Sequence, residues 1–271
     1  MIVWALFDSG NGCYSKAAKK FEDIEIYSIG IDRKNKSNHF INLNLADYSR
    51  LFGDNTLFDH LDSLPNPDLI IASPPCESWS VASAMDNGNA CWKQEKGDGL
   101  FEPQVPLSRF TIRYRSDYDR YQFKPEKSLM TRINGELCAF NTIEIIKRYQ
   151  PNVYIIENPA HGRLWEYIEK ILGFEIPYEN LTYYNNYDYP IKKPTKFKSN
   201  IDLDLKKNII PNEVEFKSGF SRDYNERSNI PAALVEDIFH KVLAMGLVSY
   251  PTKYKRHPTL KEQVSQKNLK N

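Results

Sequence analysis

The stretch Asp68-Leu-Ile-Ile-Ala-Ser-Pro-Pro-Cys-Glu-Ser-Trp-Ser80 decides how the chain is read. Leu69 to Ala72 form a short apolar run, the pattern of a parallel strand buried on both faces. Pro74 and Pro75 end it, because neither has a backbone N–H to give to a ladder. Cys76 follows at once, on a rigid turn at the carboxyl end of that strand, where open α/β sheets bind their ligands. Two readings of the thiol stand at this point. It is a buried structural cysteine, the common use of a free cysteine, or it is a nucleophile.

Upstream, Ile2 to Phe7 reads as a buried strand, Asp8 to Gly12 as a glycine-containing turn and Cys13 to Phe21 as a helix. Gly10 and Gly12 permit positive φ and a close backbone approach to a ligand. The helix N-terminus behind them favours polar or anionic groups. The next strand, Ile24 to Ile31, ends in Asp32. An acid there, about 20 residues after a glycine turn, is placed to accept hydrogen bonds from ribose hydroxyls. The competing reading is a solvated strand-end carboxylate beside Arg33 and Lys34. Asn42 to Asp47 reads as a third short strand closing on another acid, and residues 48–66 as a helical stretch and a loop ending in Pro65-Asn-Pro67.

Downstream, the character changes between Asp86 and Arg132, which hold nine Lys or Arg against seven Asp or Glu and several aromatics. Within it, Arg109, Arg113 and Arg115 alternate onto one face of a strand-like run. This segment is read either as a solvated insertion or as a loop contacting nucleic acid, since arginines interleaved with aromatics suit phosphate contact and base stacking. Asn134 to Tyr149 follows as an amphipathic helix broken by Pro151, and Val153 to Ile156 as a fifth strand. Its end carries Glu157-Asn-Pro-Ala-His-Gly162, a carboxylate expected to face the same crevice as Cys76. His161 reads as a loop or capping residue. Leu164 to Leu172 is a helix with Gly173 at its C-cap. Two strand-like runs occupy 174–200, ending in the basic Lys192-Lys-Pro-Thr-Lys-Phe-Lys198. Ala232 to Met245 is a helix with Pro231 in its tolerated first-turn position.

With 271 residues, 41% of them hydrophobic and 26% charged, the chain suits one large α/β domain, with or without an insertion. A formal net charge of +1 supplies no global field for nucleic acid, so any basic binding surface is local. The apolar start runs directly into Asp8 without a basic flank and is read as a strand and not as a signal peptide. No apolar run reaches the roughly 18 residues of a membrane span. Cys13, Cys76, Cys91 and Cys138 are widely spaced with no Cys-x-x-Cys, so neither a zinc site nor a disulfide framework is expected and a reducing cytoplasm is. Residues 252–271 hold six Lys or Arg against one Glu and read as a flexible basic tail.

Taken in order, Phe7-Asp-Ser-Gly-Asn-Gly12, Gly30-Ile-Asp32, Ala72-Ser-Pro-Pro-Cys76, Glu157-Asn-Pro159, Tyr189-Pro-Ile-Lys-Lys-Pro-Thr195 and Arg227-Ser-Asn-Ile-Pro231 resemble the DNA (cytosine-5)-methyltransferases, in particular the compact type common in bacteriophages. The resemblance covers most of residues 1–80 and 134–245. It implies an S-adenosylmethionine-dependent methyltransferase (Rossmann-like) fold: α/β, a mostly parallel seven-stranded sheet, helices on both faces and a reduced target-recognition region. The domain would span 1–250, with an insertion at 86–132, a recognition-like segment at 197–222 and the tail from 251.

The resemblance also implies roles. Cys76 would add to C6 of cytosine and Glu157 would stabilise the ring at N3. Phe7, Gly10 and Gly12 would lie near the cofactor S-adenosylmethionine, with Asp32 on its ribose and Asp47 near its adenine. Pro75 would line the junction of cofactor and base. Ser73, Lys192, Lys193, Arg109, Arg113 and Arg115 would contact DNA, whose target base must leave the stack to react. No metal and no membrane partner are implied, and the expected setting is the cytoplasm of a bacterium or phage-infected cell, as in restriction–modification.

The chain departs from the family pattern in three places. Glu77 stands where Gln usually follows the cysteine, the Gln-x-Arg-x-Arg element is replaced by lysines, and the recognition region is short. Sequence-specific contacts are therefore expected from the 86–132 segment or from a partner chain. Two alternatives stand beside DNA methylation: the same chemistry on RNA, and a catalytically silent relative that binds DNA or regulates another enzyme.

Overall fold

The apolar run after Asp68 is the centre of a sheet. Leu69–Ala72 (β4) is buried at every residue and lies parallel between Ile2–Leu6 (β1) and Val153–Pro159 (β5). Outside β1 come Glu25–Gly30 (β2) and Phe40–Asn42 (β3), both parallel to their neighbours. Outside β5 comes Pro194–Ser199 (β7), antiparallel to it, and then Tyr178–Tyr183 (β6), antiparallel to β7. The sheet is seven-stranded, mostly parallel and mixed, in the order β3-β2-β1-β4-β5-β7-β6. It is compatible with a Rossmann-like fold. The structure, a computed structural model, describes residues 1–8, 10–80, 125–213 and 228–246.

Strand alternation builds a core on each face. Trp4, Leu6, Ile70 and Ala72 point to one side, where Thr56–Asp62 (α2), Pro125–Tyr149 (α3) and Leu164–Glu166 (α4, continuing as a π-turn over Tyr167–Ile171) cover them. Val3, Ala5, Leu69 and Ile71 point to the other, beneath Cys13–Ala18 (α1) and Ala232–Ala244 (α5). Phe21 and Phe239 meet edge-to-face at 5.7 Å between α5 and the chain just beyond α1. The sequence expectation of an α/β sheet with helices on both faces therefore holds.

From β1 the chain winds outward through β2 and β3, and from β4 it winds the opposite way to β5. The crevice between the carboxyl ends of β1 and β4 is the topological switch point, where open α/β sheets take ligands. The turn after β1 and the Ser73–Cys76 turn both end there.

Several boundaries differ from the sequence reading. The third strand is Phe40–Asn42 and not Asn42 to Asp47. After Leu43 donates to the Gly30 carbonyl at 3.0 Å the chain turns, with Asn44 Oδ1 accepting the Ala46 N–H at 3.0 Å in an Asx-turn. β5 runs on to Pro159, because β7 pairs with its end and sets Glu157 opposite Phe197. α3 begins at Pro125, so residues 125–132 of the expected insertion belong to a helix, and Phe197–Ser199 of the expected recognition segment belong to β7. Arg109, Arg113, Arg115 and the 251–271 tail lie outside the described residues. Among the described residues no helix is long and apolar enough to cross a membrane.

Candidate functional site

The first wall of the crevice is the turn after β1. Phe7 takes φ 61, a conformation that costs a bulky residue about 1–3 kcal/mol and that clusters at functional sites. Its N–H reaches the Ile29 carbonyl at 2.8 Å, which carries the chain out over β2. Asp8, buried, organises the turn: it accepts from Ser28 Oγ at 2.7 Å, Asn35 Nδ2 at 3.3 Å and the Tyr14 N–H at 3.4 Å. Burial pushes its carboxyl above the ordinary value, and those donors oppose the rise. Gly12 occupies the left-handed region at φ 60, at the N-cap of α1.

Asp32 stands at the end of β2 against this turn. A Cβ on Gly10 would come within 2.2 Å of Asp32 Oδ2, so only glycine fits against the carboxylate. Its other oxygen accepts the Lys34 N–H at 3.0 Å. From the far end of the chain, Asn229 Oδ1 accepts from Asn11 Nδ2 at 2.6 Å and from Cys13 Sγ at 3.4 Å. The glycine turn and the Arg227-Ser-Asn-Ile-Pro231 motif are thus joined side chain to side chain. Asp47 goes elsewhere: it accepts from Ser49 Oγ at 2.7 Å and Ser49 N–H at 3.2 Å in an Asx-turn that leads into the 3-10 turn Ser49–Phe52. Leu43, Asn44, Leu45 and Ala46 line the crevice beside Ile31 instead.

The second wall is the turn after β4. Cys76 opens the 3-10 turn Cys76–Ser78, braced from three sides. Ser78 Oγ donates to the Thr131 carbonyl of α3 at 2.5 Å, and the Arg163 N–H donates to the Trp79 carbonyl at 2.8 Å. Trp79 itself is fully buried against Tyr167, ring centroids 4.9 Å apart. Gly135 on α3 lies so close that a Cβ there would come within 2.6 Å of Ser78 Cβ. Gly135→Ala is therefore expected to lose about 1–3 kcal/mol of stability, despite the helix preference for alanine, because the overlap is with a short, braced side chain. A thermal melt of the variant checks it.

Glu157 projects from β5 next to that turn and is 8% exposed. Asn158 Nδ2 donates to the Pro74 carbonyl at 2.9 Å, locking the ends of β4 and β5 together. The Glu157 carboxyl accepts from the Tyr184 hydroxyl at 3.3 Å, and the nearby Ser73 hydroxyl, whose Oγ lies 2.5 Å from the Tyr14 hydroxyl, favours its charged form. Burial pushes Glu157 above the ordinary carboxylate value; the Lys193 ammonium and the two hydroxyls pull the other way. Cys76 is pushed up to about 11, first by burial and then by the Glu157 and Glu77 charges, with Lys193 opposing. Lys192 and Lys193 lie over the rings of Tyr183 and Tyr184 at 4.4 and 4.8 Å.

Together the walls enclose a cavity of about 700 Å³, within the range of small-molecule sites. Phe7, Asp32, Ser73, Pro75, Cys76, Glu157, Lys192 and Lys193 all line it; Gly10 and Gly12 shape the turn behind it. Sequence reasoning did not single out Tyr14 and Tyr184, whose hydroxyls converge on the Ser73–Glu157 pair from α1 and from the turn after β6. Nothing local marks them, because each is a tyrosine in an ordinary apolar setting until the sheet closes. Among the described residues no group of three or more His, Cys, Asp or Glu forms a metal-binding cluster. The chain matches no protein-family model and no curated protein.

Proposed function

We propose that this chain transfers a methyl group from S-adenosylmethionine to C5 of cytosine in DNA. The observation that carries the proposal is the meeting of Cys76 and Glu157 at the ends of neighbouring parallel strands, on the wall of one cavity with a glycine–carboxylate cradle opposite.

The cradle suits a nucleoside cofactor. Asp32 offers carboxylate oxygens at the end of β2, Ile31, Leu43 and Leu45 offer an apolar surface for a purine, and Phe7 closes the inner wall. When bound, S-adenosylmethionine supplies a methyl group on a positively charged sulfur, the electrophile that C5 needs. The chain's own residues make C5 nucleophilic. Cys76 sulfur forms a bond to C6, and the ring's electron pair moves toward N3, where the Glu157 carboxyl delivers its proton. After methylation the C5 proton passes to a water molecule, its C–H electron pair re-forms the C5–C6 double bond, the sulfur–C6 bond breaks with its pair returning to Cys76, and Glu157 recovers the N3 proton. The Glu157 charge raises the Cys76 thiol and the Lys193 ammonium opposes the rise, so a thiolate forms here most readily when Glu157 holds its proton, the charge state this step uses.

The test is to offer the full chain DNA containing 5-fluorocytosine, together with S-adenosylmethionine, and to look for a denaturation-resistant complex. Fluorine cannot leave as a cation, so the sulfur–C6 bond is trapped. The expected result is a covalent complex absent from Cys76→Ala, with cofactor affinity reduced about tenfold or more in Asp32→Ala from loss of charge-assisted hydrogen bonds. A complex with RNA alone would replace DNA as substrate. No complex and no methyl transfer to either nucleic acid overturns the reading.

A further inference from the structure

We infer that Tyr184 and the Tyr14–Ser73 pair are positioning residues that hold the Glu157 carboxyl with its proton directed into the cavity. The inference rests on the cytosine reading above for its consequence in turnover. Its geometry stands without that reading.

Three separate elements place a hydroxyl around Glu157. Tyr184 belongs to the 3-10 turn Tyr184–Asn186 after β6, is fully buried, and reaches Glu157 Oε1 at 3.3 Å. Its ring is held edge-to-face by Tyr189 at 5.5 Å and capped by Lys193 at 4.8 Å, so the hydroxyl has little freedom. Ser73, at the end of β4, stands beside the same carboxyl and favours its charged form. The Tyr14 hydroxyl, on α1 and 1% exposed, lies 2.5 Å from Ser73 Oγ and completes the chain Tyr14–Ser73–Glu157–Tyr184.

A carboxyl turns easily about its last side-chain bond, whose preference is broad. Donors on both sides remove that freedom. They also settle where a proton on Glu157 points. The Tyr184 hydroxyl presents its hydrogen to Oε1; with the Tyr14 hydroxyl donating to Ser73 Oγ, one of the two directions that contact allows, the Ser73 hydrogen faces the carboxyl too, and the Lys193 ammonium is a donor with no acceptor. The remaining ionisable neighbour is Cys76, a weak acceptor. A carboxyl O–H therefore finds its acceptor in the cavity, where the proposed reaction places N3 of cytosine.

The experiment follows Tyr184→Phe, which keeps the ring and removes one oxygen, with Ser73→Ala as a second variant should the first misfold. Two readouts are taken on the full chain. The first is the pH midpoint of the Glu157 carboxyl infrared band, assigned by its loss in Glu157→Gln. The second is kcat and KM for methyl transfer to cytosine-containing DNA. The expected result is a midpoint moved upward, since a donor that favours the carboxylate has gone, and kcat lowered about tenfold with both KM values within about twofold. In the Glu157→Gln background the added Tyr184→Phe change should cost nothing further, as for residues acting through one group.

An unmoved midpoint, or a Tyr184→Phe cost that persists in full in the Glu157→Gln background, overturns the positioning role. A wild-type chain that transfers no methyl group to DNA overturns the cytosine reading and the kcat expectation with it. The infrared midpoint then still decides whether the hydroxyls hold Glu157.

Discussion

Replacing Cys76 by serine should abolish methyl transfer to cytosine, by at least about 10³-fold in kcat, while leaving S-adenosylmethionine affinity within about twofold. The reason lies in the leaving and attacking abilities of sulfur. A thiolate is a potent nucleophile toward an electron-poor ring carbon and leaves readily when the base is restored, whereas a serine hydroxyl is a far weaker acid than a thiol and its alkoxide a far poorer leaving group. The proposed cofactor cradle uses Phe7 and Asp32, with Gly10 packed behind the Asp32 carboxylate, across the cavity from Cys76, so ligand affinity is expected to survive. Burial and the Glu157 charge hold the free thiol at about 11, so the resting protein carries a protonated Cys76 at neutral pH. Alkylation of Cys76 by iodoacetamide should accordingly be slow at pH 7 and rise about tenfold per pH unit toward that midpoint. In Glu157→Gln the midpoint should fall, because the second-largest cause of the shift is gone. Fast, pH-independent alkylation of Cys76 in the free protein would contradict the electrostatic account of the pair.

The second large effect belongs to Glu157→Gln. Methyl transfer should fall about 10²–10⁴-fold, the usual cost of losing a positioned general acid, because an amide gives no proton to N3. The same change should make the protein more stable. Burial raises the Glu157 pKa, so the folded state binds a proton more tightly than the unfolded chain does. The folded state is therefore penalised progressively as pH rises from the ordinary glutamate value of 4.5 through the folded value, and the penalty is absent below that window. Glutamine carries no such penalty and its side-chain oxygen still accepts from Tyr184. The expected melt is thus unchanged in acid and higher than wild type at pH 8, each kcal/mol appearing as roughly 2–4 °C in a chain of this size. Thermal melts at pH 4 and pH 8 check the sign. A Glu157→Gln protein less stable than wild type at pH 8 would mean that the carboxylate is stabilising in place.

Much of this site was legible before the fold was known. The apolar run Leu69 to Ala72 can only be a strand buried on both faces, and the two prolines after it can only end it, so Cys76 was bound to stand at a strand's carboxyl end. Glu157 after Val153 to Ile156 follows from the same local physics. Gly10 and Gly12 were legible as a turn; Gly12 takes the positive φ that glycine permits, whereas Gly10 serves by placing no Cβ against Asp32. What could not be read is anything settled by pairing between distant segments. Asp47 looked like a strand-end acid, but its strand had already stopped at Asn42, opposite the last residue of β2, and its carboxylate accepts from Ser49 instead. Arg109, Arg113 and Arg115 carry a pattern whose meaning lies outside the described residues.

The division has a physical cause. Whether a segment is a strand, turn or helix is decided by backbone stereochemistry and the spacing of apolar residues, which the sequence carries locally. Which side chains meet is decided by strand order and register. Only the antiparallel insertion of β7 between β5 and β6 brings the Tyr184 hydroxyl to Glu157, and only the crossover from β1 to β4 sets Tyr14 against Ser73. The sequence by itself determined the presence of a thiol, a carboxyl and a glycine turn at the ends of buried strands. The tertiary structure decided that they face one cavity, and which hydroxyls hold the carboxyl there.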